Sequence, residues 1–204
     1  MNGSHREEAA GRGRGHNAPM PAPLLLSFTA ADVVAFWREA GPARWFRKDT
    51  AFDAEFRTRF LGAHEAALRG EFDEWAADAP GALALLILLD QFPRNSFRGT
   101  PRMFASDAKA REIASAAVRA GLDAHVDADL RNFFYLPFMH SEHLADQDLG
   151  VELARKLGDD SLRYASMHRD IIERFGRFPH RNALLGRATT PEEQRFLDDG
   201  GFAG

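Results

Sequence analysis

Between Ala82 and Leu89 the chain has no polar side chain, and the run is followed at once by Asp90, Gln91, Phe92 and Pro93. It is the longest apolar stretch in the sequence and falls well short of the roughly 20 residues needed to cross a bilayer, so it predicts a buried helix from about Gly81 to Gln91. Asp90 then sits in the last turn, where both the helix dipole and burial disfavour an anion. Such a carboxylate requires a cationic partner, and Arg94, Arg98, Arg177 and Arg181, or a protonated histidine, are the candidates.

The phrase that closes this helix recurs. Asp90-Gln91-Phe92-Pro93-Arg94-Asn95 is matched by Gly176-Arg177-Phe178-Pro179-His180-Arg181-Asn182. Proline has no amide hydrogen and pushes the preceding residue out of helical geometry, so Phe92 and Phe178 are expected to be helix exits. An Arg beyond a helix end is explained by the dipole, but the matching Asn95 and Asn182, with Gln91, Arg177 and His180 beside them, point to a built polar site.

Elsewhere the apolar residues recur with helical spacing, and no segment alternates with a period of two. Thr29, with Asp32 three residues on, starts a helix that Gly41-Pro42 ends. Phe52, Phe56 and Phe60 mark the next, from about Thr50 to Arg69. Ser106 is expected to cap a helix reaching Ala120, and residues 129–147 read as one helical stretch kinked at Pro137. Two further helices follow, at about 148–157 and 160–175, and Thr190-Pro191-Glu192-Glu193 opens the last. The expected fold is all-α, built of stacked antiparallel helix hairpins. Residues 24–204 form its single domain, and residues 1–23, rich in Gly, Arg and Pro, are expected to be a disordered tail.

Composition narrows the function. With no cysteine there is no thiolate metal site and no cysteine nucleophile, and a net charge of -4 argues against nucleic acid or an anionic membrane as partner. Leu24-Leu25-Leu26 is too short for a secretory core, so a cytoplasmic location is expected. Lys occurs only at 48, 109 and 156, so abundant Arg reflects a composition bias, and only its placement is informative. There is no nucleophile elbow, phosphate loop or dinucleotide fingerprint, and no cofactor is implied, so any catalysis would be acid-base.

Helical arithmetic turns His168 toward Ile171, Ile172 and Phe175, and His140 toward Phe133, Leu136 and Leu144. His140 and His143, three residues apart, are a weak candidate metal pair without an evident third ligand. The candidate catalytic residues are therefore His140 and His168 as bases, with Glu142 or Asp90 to orient them. Gln91, Arg94 and Asn95 from the first phrase, with Arg177, His180, Arg181 and Asn182 from the second, are the candidate ligand-binding residues.

Three segments carry a family resemblance: Leu88 to Asn95, Leu136-Pro137-Phe138-Met139-His140-Ser141-Glu142, and His168 to Asn182. Together with Trp45-Phe46, Phe52-Asp53 and Leu185-Gly186-Arg187, they resemble the bacterial domain-of-unknown-function 924 family from about Val33 to Phe202. The resemblance implies an all-helical fold similar to the tetratricopeptide-repeat superfamily, a right-handed superhelix, and no established activity. His143 departs from the family, which more often has a small or acidic polar residue there. Three readings follow: a binding module for a small anionic ligand or a carboxylate-bearing peptide, an acid-base hydrolase or lyase, or a scaffold in which the polar cluster only fixes packing and protein partners bind elsewhere.

Overall fold

The computed structural model describes residues 28–203 together with Met1, and among them there are helices and no strands. Apart from Met1, the expected tail lies outside the described residues. The chain begins with α1 (Ala30–Ala40), where Thr29 Oγ1 accepts from the Asp32 amide at 3.1 Å and the Asp32 carboxylate accepts from the Thr29 amide at 3.0 Å. This reciprocal capping box is the one expected from sequence. Gly41, at φ 70°, ends the helix, and the short α2 (Pro42–Trp45) follows. Asp49 accepts from the amides of Ala51 and Phe52 to start α3 (Thr50–Leu68).

The spacing of four along α3 brings Phe52, Phe56 and Phe60 onto one side, where Phe36 of α1 lies 5.2–5.4 Å from each ring. Each such ring contributes about 1.5–3 kcal/mol by leaving water. A 3₁₀ turn (Asp73–Ala77) leads into α4 (Ala79–Leu86), whose residues from Ala82 onward are at most 1% exposed. A helix apolar on every face must be covered on every face, and α1, α6 (Asp107–Arg119) and the 3₁₀ turn pack around it.

The end of this central helix departs from expectation. Phe92 keeps helical angles, because residues Ile87–Gln91 widen into a π turn and the chain continues as α5 (Phe92–Ser96). The Phe92 amide reaches back to the Ile87 carbonyl, five residues away, which relieves the proline ring. Two carbonyls lose their helical partners as a result, Leu88 because Phe92 bypasses it and Leu89 because Pro93 has no N–H. His64 Nδ1 donates to the first at 2.8 Å and Ser106 Oγ to the second at 2.5 Å. Ser106 therefore does not cap α6 with its side chain, as the sequence suggested.

Residues 129–147 also differ from a single kinked helix. They form α7 (Ala128–Arg131), a 3₁₀ turn (Asn132–Phe134), α8 (Leu136–Met139) and the start of α9 (Leu144–Ala154). Gln147 replaces helical bonds here, its Nε2 donating to the carbonyls of Met139 at 2.8 Å and Ser141 at 2.6 Å. After a short turn α9 packs along α10 (Asp159–Phe175), and Gly176, at φ 69°, ends α10. Phe178 leaves the helix in extended geometry, as expected, before a 3₁₀ turn (Pro179–Arg181) and α11 (Pro191–Asp198). Ile171, Ile172 and Phe178, with Phe175, Phe196 and Phe202 against them, make a small second core at this end.

Candidate functional site

The two phrases meet at the start of α6. Asp90, 1% exposed, accepts from His140 Nδ1 at 2.8 Å and from Gln91 Nε2 at 2.7 Å, and its Oδ1 lies 3.1 Å from Arg94 Nη1. Arg94 also forks onto Asp107 with distances of 2.9 and 3.1 Å. Arg181 approaches the same Asp107 from the second phrase, at 3.7 Å. Asp90 thus finds one cationic partner of the kind expected, Arg94 one turn along, while its second partner, His140 from a distant segment, is a neutral donor rather than the protonated histidine expected.

Burial alone would raise the Asp90 carboxyl, but Arg94 and then His140 outweigh it and hold the acid well below its ordinary range. Burial, followed by the charge of Arg94, depresses His140 despite the Asp90 carboxylate. The pair is therefore an anionic Asp90 holding a neutral imidazole by its Nδ1–H.

Around the Phe178 ring lies a second group. The Arg181 guanidinium stacks on it at 4.5 Å and on Phe104 at 4.6 Å. His168 stands 5.6 Å from Phe178 and 4.6 Å from Phe202, and His180 5.6 Å and 5.1 Å from the same two rings. Arg181 is 7% exposed, yet its Nε has no hydrogen-bond partner, and neither does His180 Nδ1. Burial, with the neighbouring Arg94, lowers the Arg181 guanidinium to about 10. Burial likewise lowers His168 and His180 to about 4, helped at both by the charge of Arg181.

These two imidazoles resist protonation in the folded state while an unfolded chain takes up protons near the ordinary value of 6.5. Between pH 6.5 and about 4 the unfolded state therefore binds more protons, so stability falls as pH falls, at about 1.4 kcal/mol per displaced unit for a fully shielded group. Thermal melts from pH 8 to 4.5 should be flat above 6.5 and decline below it, and His168→Phe should reduce the decline. An unchanged slope in that variant would remove His168 from the account.

Not every expected residue joins this meeting point. Asn95 instead donates to Asp53 at 2.7 Å, and Arg98 pairs with the same carboxylate at 2.8 Å. Asn182 donates to Glu193 at 3.3 Å, and Arg177 forks onto Glu193 at 2.6 and 2.8 Å. The matched asparagines have matched roles: each holds, with an Arg, a carboxylate from elsewhere in the chain. Gln91 is spent on Asp90. Glu142 does not orient a histidine: Arg187 grips it at 2.7 and 3.0 Å, and it accepts the Phe178 amide at 2.9 Å. His143 is exposed at the head of α9, and among the described residues no group of three or more His, Asp or Glu is placed to hold a metal ion.

Sequence reading missed Asp107, Phe104, Phe202 and Arg187. Asp107 sits in the first turn of α6, and nothing local in the sequence marks its two Arg neighbours. Two cavities lie elsewhere, one of about 360 Å³ beside Arg174, Arg195 and Phe196, the other apolar and bordered by Val34, Ala35 and Pro80.

A family described as "Bacterial protein of unknown function (DUF924)" matches residues 33–201. The solved structure of a protein of unknown function, ATU0120 from Agrobacterium tumefaciens, is similar, at 56% sequence identity and a TM-score of 0.82. The match covers 84% of this chain and 97% of that one. No curated protein matches the chain. No helix among the described residues is long and apolar enough to cross a membrane.

Proposed function

We propose that this chain, which belongs to the DUF924 family of bacterial proteins, binds a small anionic ligand, or the carboxylate end of a peptide, beside Arg181. One observation carries the reading. Arg181 is a buried cation whose Nε has no partner and whose neighbouring carboxylate stands 3.7 Å away, beyond good hydrogen-bond range. A cation so placed is costly unless something pairs with it, and an Arg fork suits a carboxylate or phosphate. The unpartnered Nδ1 of His180 is next to it in sequence. Part of the same reading is a right-handed, tetratricopeptide-like stacking of helix pairs, supported by the packing of α9 along α10.

The buried Asp90–His140 pair supports a second reading, acid-base catalysis. A carboxylate that fixes one imidazole nitrogen leaves the other free to take a proton from a bound molecule. His140 would be the base and Asp90 its orienting group, with Glu142 committed to Arg187.

Arg181→Met separates a binding site from a packing lock. Methionine can fill the space between Phe104 and Phe178, so the expected change in stability is within about 1 kcal/mol, or about 2–4 °C in Tm. Affinity for inorganic phosphate or a dicarboxylate, measured by calorimetry, should fall at least about tenfold, because hydrogen bonds to a charged group are lost. A variant that melts far below the parent would instead show Arg181 to be a structural tie.

A further inference from the structure

The histidines beside Arg181 restrict the ligand further, on the premise that an anion binds there. His140 Nδ1 lies 2.8 Å from an Asp90 oxygen, and Asp90, already receiving Gln91 and Arg94, can only accept. His168 Nδ1 lies 2.7 Å from the backbone carbonyl of Tyr164, which also can only accept. Both rings must therefore carry their proton on Nδ1. Each imidazole then presents a bare lone pair at Nε2, and among the described residues nothing donates to either one.

His168 and Arg181 rest on the same Phe178 ring, and Arg94, paired with Asp90 beside His140, shares Asp107 with Arg181. The neighbourhood thus offers cationic donors and neutral acceptors together. A simple anion, such as chloride or a fully ionised carboxylate without other polar groups, satisfies only the donors. It would also face two lone pairs, which repel it.

We infer that the ligand carries a hydroxyl, or another neutral hydrogen-bond donor, next to its anionic group: a hydroxy acid or a polyol phosphate rather than a plain carboxylate or phosphate. The anionic group goes to Arg181 and the hydroxyl donates to Nε2 of His140 or His168. Phe202, against His168 and His180, gives such a ligand an apolar wall.

Matched probes differing by one hydroxyl test this directly. Calorimetry at pH 7.5 would compare malate with succinate, and glycerol phosphate with propyl phosphate, on the full chain. The hydroxylated member of at least one pair should bind about three- to tenfold more tightly, the worth of one hydrogen bond. In His168→Phe, which keeps a ring against Phe178 and Phe202, or in His140→Gln, that preference should shrink toward unity. Equal binding of both members of each pair overturns the hydroxyl inference and leaves the anion site standing. No binding of any probe, with Arg181→Met indistinguishable from the parent, overturns the anion site as well.

Discussion

Asp90→Ala is expected to melt about 6–20 °C below the parent, a loss of about 3–5 kcal/mol. The change leaves Arg94 with Asp107 as its one carboxylate partner, frees Gln91, and strips His140 Nδ1 of its acceptor, around a position that is itself almost wholly buried. Breaking a buried pair from one side is costly because the remaining charge stays desolvated. Asp90→Asn should fall between the two, since an amide oxygen can still accept from His140 but cannot neutralise Arg94. A double-mutant cycle with His140→Leu should return a coupling above about 1 kcal/mol, as for residues in one network. An Asp90→Ala protein melting within 2–3 °C of the parent, about 1 kcal/mol, would mean that the segments are held by their apolar contacts alone.

Phe178→Ala should cost about 3–5 kcal/mol, as for other wholly buried phenylalanines. The consequence for binding should be larger than the stability loss suggests. Arg181 rests on this ring, and His168, His180 and Phe202 pack around it, so its removal lets each of them find a new rotamer. Phe178→Leu provides the control, because it restores bulk without a flat face for the guanidinium. Recovery of stability in the leucine variant without recovery of anion affinity is the expected pattern. Full recovery of both would reduce Phe178 to a space-filler.

Much of the scaffold was readable because its signals are local. The capping boxes at Thr29 and Thr190, the phenylalanine spacing on α3 and the stop at Gly176 each depend on residues within a turn or two. The need of Asp90 for a partner was equally local, since it follows from one carboxylate placed at the end of an apolar run. Its partners were harder: Arg94 is one turn away, but His140 arrives from 50 residues downstream. The contacts of Asn95 and Asn182 were hidden for the same reason. Their acceptors, Asp53 and Glu193, lie 42 and 11 residues away, and Glu193 already had a complete explanation as a helix cap. Phe92 failed on a different ground. The proline rule assumes a regular helix, and the π turn supplies the room that the rule denies.

That π turn makes the number of residues between Leu86 and Phe92 matter as much as their identity. In an ordinary helix each residue advances about 100°, so a chain one residue shorter there would rotate everything beyond it relative to α4. Asp90 and Arg94 would turn from α8 and α6, and Asn95 from Asp53. No choice of side chain within the segment could restore both, since the fault would lie in phase. Insertions and deletions in this stretch should therefore be far less tolerated than apolar substitutions, although to a hydropathy plot both leave the segment unchanged.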